Sequence, residues 1–184
     1  FDAVINRKVF CDWHGRRKDQ PGSRRLIAPF VARFGIDAGE AEHPLAAYES
    51  FNAFFERRLK PGARPFPTDD RVFAAPGDGK LLVYPTLDDD VRLPVKGLHV
   101  SPAGLLASEA EAAPFAGGAA FVLRIAPYDY HRFHFPAAGV AGPARAIAGR
   151  YHSVNPIALA RVPDLFIRNK RMVTLVDAPA FGRL

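Results

Sequence analysis

The chain has 184 residues, 25 Lys and Arg against 19 Asp and Glu, a formal net charge of +6 and 48% apolar residues, which suits one packed globular domain and excludes a disordered chain. No apolar run approaches the ~18 residues that span a bilayer, and the start FDAVINRK lacks a signal-peptide core, although a first residue of Phe1 leaves an upstream segment open. The lone cysteine, Cys11, excludes an internal disulfide and fits a reducing compartment.

The first sixty residues read as helical. Leu26, Ile27, Phe30, Val31 and Phe34 share one helical face in the run 23–34, with Ser23 as its N-cap and Pro29 arguing for a kink or a later start. A second run, 45–59, spaces Tyr48, Phe51, Phe54, Phe55 and Leu59 by three and four residues; it begins at Pro44 or Ser50 and stops at Pro61-Gly62. After Pro65 the pattern changes to short runs of branched and aromatic residues between Pro and Gly. These predict strands at 71–75, 80–84, 91–95, 119–125, 144–147, 165–167 and 171–176, with a capped helical stretch over 101–113. Helices followed by strands predict an α+β fold, with a helical layer over about 1–62 packed on a β-rich sandwich or barrel core over about 66–184 in a single domain.

The charge is unevenly placed. Residues 121–184 hold nine basic and three acidic side chains, which accounts for the whole +6. A basic surface serves nucleic acid, an anionic membrane or a phosphorylated ligand. The densest chemistry lies there, in Arg124 to Pro136, where His131 and His134 stand three apart among aromatic residues. Imidazoles so placed can be hydrogen-bonded core-edge groups, two ligands of a metal site that still needs a third, or acid/base groups. His99, His152 and Asp78 are available as a third ligand, but no spacing selects them. Asp78, between Gly77 and Gly79, either makes a turn or points its carboxylate into a site where it can orient a histidine. His152-Ser153-Val154-Asn155-Pro156 reads as a turn, and no glycine-rich phosphate loop is present.

In order along the chain, SFNAFFERRLKPGARP, AAPGDGK, VKGLHVSPAGLL, RIAPYDYHRFHFPAAG, GRYHSVNPIAL and LFIRNKR resemble the phosphatidylserine decarboxylase family. The resemblance implies a self-processing, pyruvoyl-dependent carboxy-lyase of phospholipid biosynthesis that converts phosphatidylserine to phosphatidylethanolamine. A serine of a Gly-Ser junction attacks its own peptide bond, and elimination from the resulting ester leaves a small chain headed by a pyruvoyl group. On this resemblance Asp78 and His134 form the charge-relay pair that assists the serine, and His131 handles protons during decarboxylation. Of the five serines only Ser23 follows a glycine, and it lies near the N-terminus, whereas the junction of the family lies near the C-terminus; the pyruvoyl-forming serine is therefore expected beyond Leu184, and the present chain alone is expected to be inactive, with an unpaired edge or apolar patch exposed. Its expected partners are phosphatidylserine in an anionic membrane and the small pyruvoyl-bearing chain, with no metal and no nucleic acid. The expected location is peripheral, on the cytoplasmic face of the membrane. Monomer and homodimer both stay open. The alternative reading is a catalytically inactive lipid-binding or interaction module of the same fold.

Overall fold

The computed structural model describes residues 8–87, 101–154, 156–162 and 164–184; the predicted strand 91–95, His99 and Asn155 lie outside them. The described residues form two compact units. One draws on Asp12–Leu82 and Val122–Ala138; the other on the described residues of 1–11, 83–121 and 139–184. The fold is α+β, as the residue pattern predicts, but the strands make small separate sheets and no closed barrel among the described residues.

Helix α1 (Lys8–Asp19) buries none of its residues. A 3-10 turn over Pro21–Leu26 leads into α2 (Ile27–Phe34), so the regular helix starts later than Ser23. Ser23 is therefore not an N-cap. Its hydroxyl lies 2.7 Å from the carbonyl oxygens of Lys18 and Gln20 and accepts the Phe51 N–H at 2.9 Å, which ties three segments together. Gly35, in the left-handed region at φ +62°, ends α2 with its N–H on the Val31 carbonyl. The predicted helix 45–59 is much shorter in the structure: a 3-10 turn at Leu45–Ala47, then α3 (Phe51–Phe55), whose first turn is capped by Ser50 Oγ accepting from Ala53 N–H at 3.1 Å. Beyond it the chain turns extended, and Glu42 and Lys60 donate backbone bonds to Arg58 and Glu40. That pairing competes with another helical turn and brings Glu40 alongside the segment that carries Arg64.

Phe54, Ile27, Ala41 and Tyr48 form the buried core of this unit, with Phe30, Val31, Ile36, Leu45 and Phe51 packed against it. Edge-to-face contacts of Phe30 with Phe51 (5.1 Å) and of Tyr48 with Phe54 (5.5 Å) build the cluster. The aromatic spacing in the sequence is thus core packing.

Strands β1 (Lys80–Tyr84) and β2 (Ala120–Arg124) pair as a two-stranded sheet. Consecutive β1 residues Leu81, Leu82 and Val83 are each about half exposed, so both faces of this strand carry accessible apolar surface. Residues 71–75 are not a strand: Asp69 accepts from the Arg71 N–H in a turn, and Ala74 makes a single backbone bond to Pro136.

In the other unit α4 (Pro102–Leu106) and α5 (Glu109–Ala112) fill the predicted helical stretch, capped by Ser101 on Gly104 and Ser108 on Glu111. Two strands follow, β3 (Val140–Ala141) and β4 (Arg145–Ile147), then helices α6 (Pro156–Arg161) and α7 (Leu165–Arg168). The last of these replaces the strand predicted at 165–167, because a three-residue apolar run fits either period. The predicted strand 171–176 divides into β5 (Arg171–Val173), antiparallel to β4, and β6 (Val176–Ala178), which lies between β3 and β7 (Gly182–Arg183). Arg171 organises this unit: its guanidinium donates to the carbonyls of Gly104, Leu105, Ile167 and Asn169, satisfying the ends of α4 and α7.

Candidate active site

Two backbone bonds bring the PGDG and YHRFH segments together. Ala74 N–H donates to Pro136 and His134 N–H to Pro76, at 2.8 and 2.9 Å, so residues 74–76 and 134–136 run side by side. The glycines flanking Asp78 permit this. A Cβ on Gly77 would lie 3.3 Å from the Arg132 carbonyl; one on Gly79, whose φ is +149°, would lie 2.5 Å from that of Arg124. Upstream of the histidines, Asp129 accepts from the Ala126 N–H at 2.6 Å and closes a turn, and Arg132 Nε reaches the Glu56 carbonyl at 2.8 Å.

Asp78 and His134 line one cleft of about 460 Å³ together with Arg64, Phe66, Phe73 and the 74–77 backbone. The His134 ring meets Phe66 edge-on at 5.7 Å. Both oxygens of Asp78 are held by Arg64, with Nε on Oδ1 at 2.8 Å and Nη2 on Oδ2 at 2.7 Å. The same guanidinium holds Glu40 on its other side, Nη1 on Oε1 at 2.9 Å and Nη2 on Oε2 at 3.1 Å. Hydrogen bonding from Arg64 is the main reason that the Asp78 pKa lies below the usual carboxylate value; the charges of Arg64, Arg57 and His134 add to it against partial burial. Arg57 is 6% exposed, stands 4.8 Å over the Phe54 ring, and has its pKa lowered by desolvation despite the nearby Tyr48, Asp78 and Glu40.

His131 goes elsewhere. Residues 131–135 are not helical, so a spacing of three does not put the two imidazoles on one face. His131 lines a different cleft, with Arg58, Leu59, Tyr130, Arg132 and Phe133. Its ring stacks on Phe55 at 3.8 Å, and its Nε2 lies 3.2 Å from the Pro127 carbonyl, which places a proton on that nitrogen. Among the described residues no three His, Cys, Asp or Glu side chains gather as metal ligands. In the other unit, the Asn169 carboxamide grips the His152 backbone, accepting from its N–H at 2.9 Å and donating to its carbonyl at 2.8 Å.

Arg64, Glu40, Phe55 and Phe66 went unnoticed as site residues in the sequence. Arg64 lies within the quoted KPGARP string, but nothing local indicates that its partners lie fourteen residues ahead and twenty-four behind.

The phosphatidylserine decarboxylase family model matches residues 51–184. The chain belongs to the phosphatidylserine decarboxylase family. Curated phosphatidylserine decarboxylase proenzymes are similar over nearly its whole length: that of Ruminiclostridium cellulolyticum is 40% identical over 179 residues, covering 97% of this chain and 60% of the relative. Those of Desulfitobacterium hafniense and Chlamydia muridarum are each 41% identical, covering 98% and 100% of this chain and 61% of the relative. The chain thus spans about three fifths of the length of the curated phosphatidylserine decarboxylases it matches. All the family motifs quoted from residue 51 onward fall inside the matched region.

Proposed function

We propose that this chain is the large-chain region of a phosphatidylserine decarboxylase proenzyme, which cuts itself at a serine outside this sequence and then decarboxylates phosphatidylserine to phosphatidylethanolamine. The observation that carries the reading is the shared cleft of Asp78 and His134. An imidazole beside an ionised carboxylate is the pair needed to take a proton from a serine hydroxyl and to stabilise the imidazolium that results. Arg64 favours the ionised carboxylate at neutral pH.

The residues present suit a pyruvoyl group. The cleft offers one carboxylate and one imidazole on a largely apolar wall of Phe66, Val72, Phe73 and Ala74, and a carbonyl group on a neighbouring chain needs no metal to hold it. When bound, that group supplies an electron sink for the pair left by departing CO2. Within this chain, His134 with Asp78 serves the self-cleavage step, and His131, seated on Phe55, supplies the proton that replaces CO2 on the substrate carbon. The excess of basic residues over 121–184 supports an anionic phospholipid surface as the place of work and a peripheral position on the cytoplasmic face of the membrane. No helix of the described residues is long and apolar enough to cross a membrane.

Mass spectrometry of the whole gene product tests the reading. Two chains are expected, the smaller blocked at its N-terminus, with CO2 released from phosphatidylserine vesicles. One intact chain and no CO2 would leave the inactive lipid-binding module as the better description.

A further inference from the structure

The arrangement around Arg64 is more specific than a surface ion pair. Exposed Arg–carboxylate pairs contribute little, because solvent and side-chain entropy oppose them. Here one guanidinium is forked on two carboxylates at once: Nε and Nη2 face Asp78, Nη1 and Nη2 face Glu40. The three residues come from separate segments, so no local helical spacing accounts for them. A carboxylate offers about four lone-pair directions. Arg64 takes two of those on Asp78, one on each oxygen, and leaves the others for a second donor in the cleft that His134 also lines.

We propose that Arg64, braced by Glu40, is the positioning residue for Asp78: it sets the plane of the carboxylate and turns its unused lone pairs toward His134. The assignment rests on the Asp78–His134 relay proposed above. Glu40 acts one step further out, since it fixes the guanidinium that fixes Asp78. Lysine cannot replace Arg64, because a single ammonium group cannot form both planar forks.

The charged groups facing Asp78 are Arg64, Arg57 and His134, with Glu40 reaching it only through Arg64. Arg57 and His134 are untouched in Arg64 variants, so a change in Asp78 titration reports the clamp. The test uses the whole gene product made by cell-free synthesis, with self-cleavage followed in a chase across pH. Arg64→Lys and Arg64→Ala are expected to slow cleavage by about 10- to 100-fold at neutral pH, the scale of a misplaced catalytic group. The acid limb of the rate profile is expected to move to higher pH, furthest in Arg64→Ala. Glu40→Gln, which keeps an acceptor for the guanidinium, is expected to give a smaller change in the same direction. Carbon-13 titration of the Asp78 carboxyl should move to higher pH in the same order.

An unchanged Asp78 titration in Arg64→Ala, or a cleavage loss in Arg64→Lys with no movement of the acid limb, would overturn the proposal. Should Arg64→Ala not fold, Arg64→Lys and Glu40→Gln carry the same comparison. A wild-type protein that never cleaves would instead sink the decarboxylase reading, and the carboxyl titration would still decide the clamp.

Discussion

The imidazole of His131 lies nearly flat on the ring of Phe55, with centroids 3.8 Å apart and planes 23° apart. Phe55 ends α3, so the orientation of His131 is set by a helix rather than by the loop that carries it. Removing the ring frees the imidazole without touching Asp78 or His134. On the role proposed for His131, Phe55→Leu is expected to lower decarboxylation by about tenfold, the scale of a misoriented general acid, while self-cleavage proceeds. Comparing CO2 release with chain counting by mass spectrometry in one preparation separates the two steps; equal loss of both would show that Phe55 serves only the fold.

Phe54 is fully buried in the aromatic core of its unit. Truncation to alanine leaves a cavity and should cost about 3–5 kcal/mol. Urea unfolding should show the loss as a lower midpoint, and the neighbouring Phe55→Leu should show much less of it.

Arg171 satisfies four carbonyl oxygens with one guanidinium. Replacing it by methionine, which keeps the stem but donates nothing, strands acceptors at the ends of α4 and α7. The expected cost is roughly 2 kcal/mol, the scale of buried acceptors left unpaired. Hydrogen exchange should report faster opening of α4 and α7 than of α2.

Gly79 combines a φ of +149° with a carbonyl 2.5 Å from where a Cβ would stand. Gly79→Ala must move either the Asp78 turn or Arg124. The expected result is a loss of about 1–3 kcal/mol, the scale of a strained backbone position, together with impaired self-cleavage. Gly62→Ala, which also has positive φ but no atom within 4 Å of its Cβ, is the control for strain without a clash.

The depressed Asp78 pKa carries a signed prediction for stability. A carboxyl with a folded pKa below its unfolded one contributes stability above the unfolded pKa and loses it as pH falls through the folded pKa. Thermal unfolding of the wild-type chain should therefore weaken through the acid range as Asp78 takes up its proton. Asp78→Asn, with nothing to titrate there, should show a shallower acid decline than wild type. An identical slope in both would mean that the Arg64 contact does not distinguish folded from unfolded chains.

Local signals in the sequence found what local forces determine. Ser50 and Ser101 cap the helices that follow them, and strands 80–84, 120–124 and 145–147 lie within the predicted runs. Errors arose where tertiary partners decide. Ser23 has the chemistry of a cap, yet its hydroxyl is used by Phe51 from a distant segment. Leu165 to Ile167 has strand composition but follows Asp164, whose carbonyl accepts the N–H groups of Ile167 and Arg168 as the first turn of a helix. The site shows the same division. The residue types at Asp78, His131 and His134 are legible as chemistry, and family resemblance supplies proposed roles. The fork of Arg64 between two carboxylates depends on chain crossings that no spacing encodes.

The interleaving of the two units has a consequence for the nascent chain. The segment 12–82 is contiguous and holds a complete aromatic core, so its helices can pack while synthesis continues. Its cleft cannot, because His134 arrives only after all of 83–121 has been made. Closing so long an excursion carries an entropic cost that a local hairpin avoids. Asp78 therefore emerges well ahead of His134, and the cleft that the two line cannot form until the chain has returned to its first-made unit.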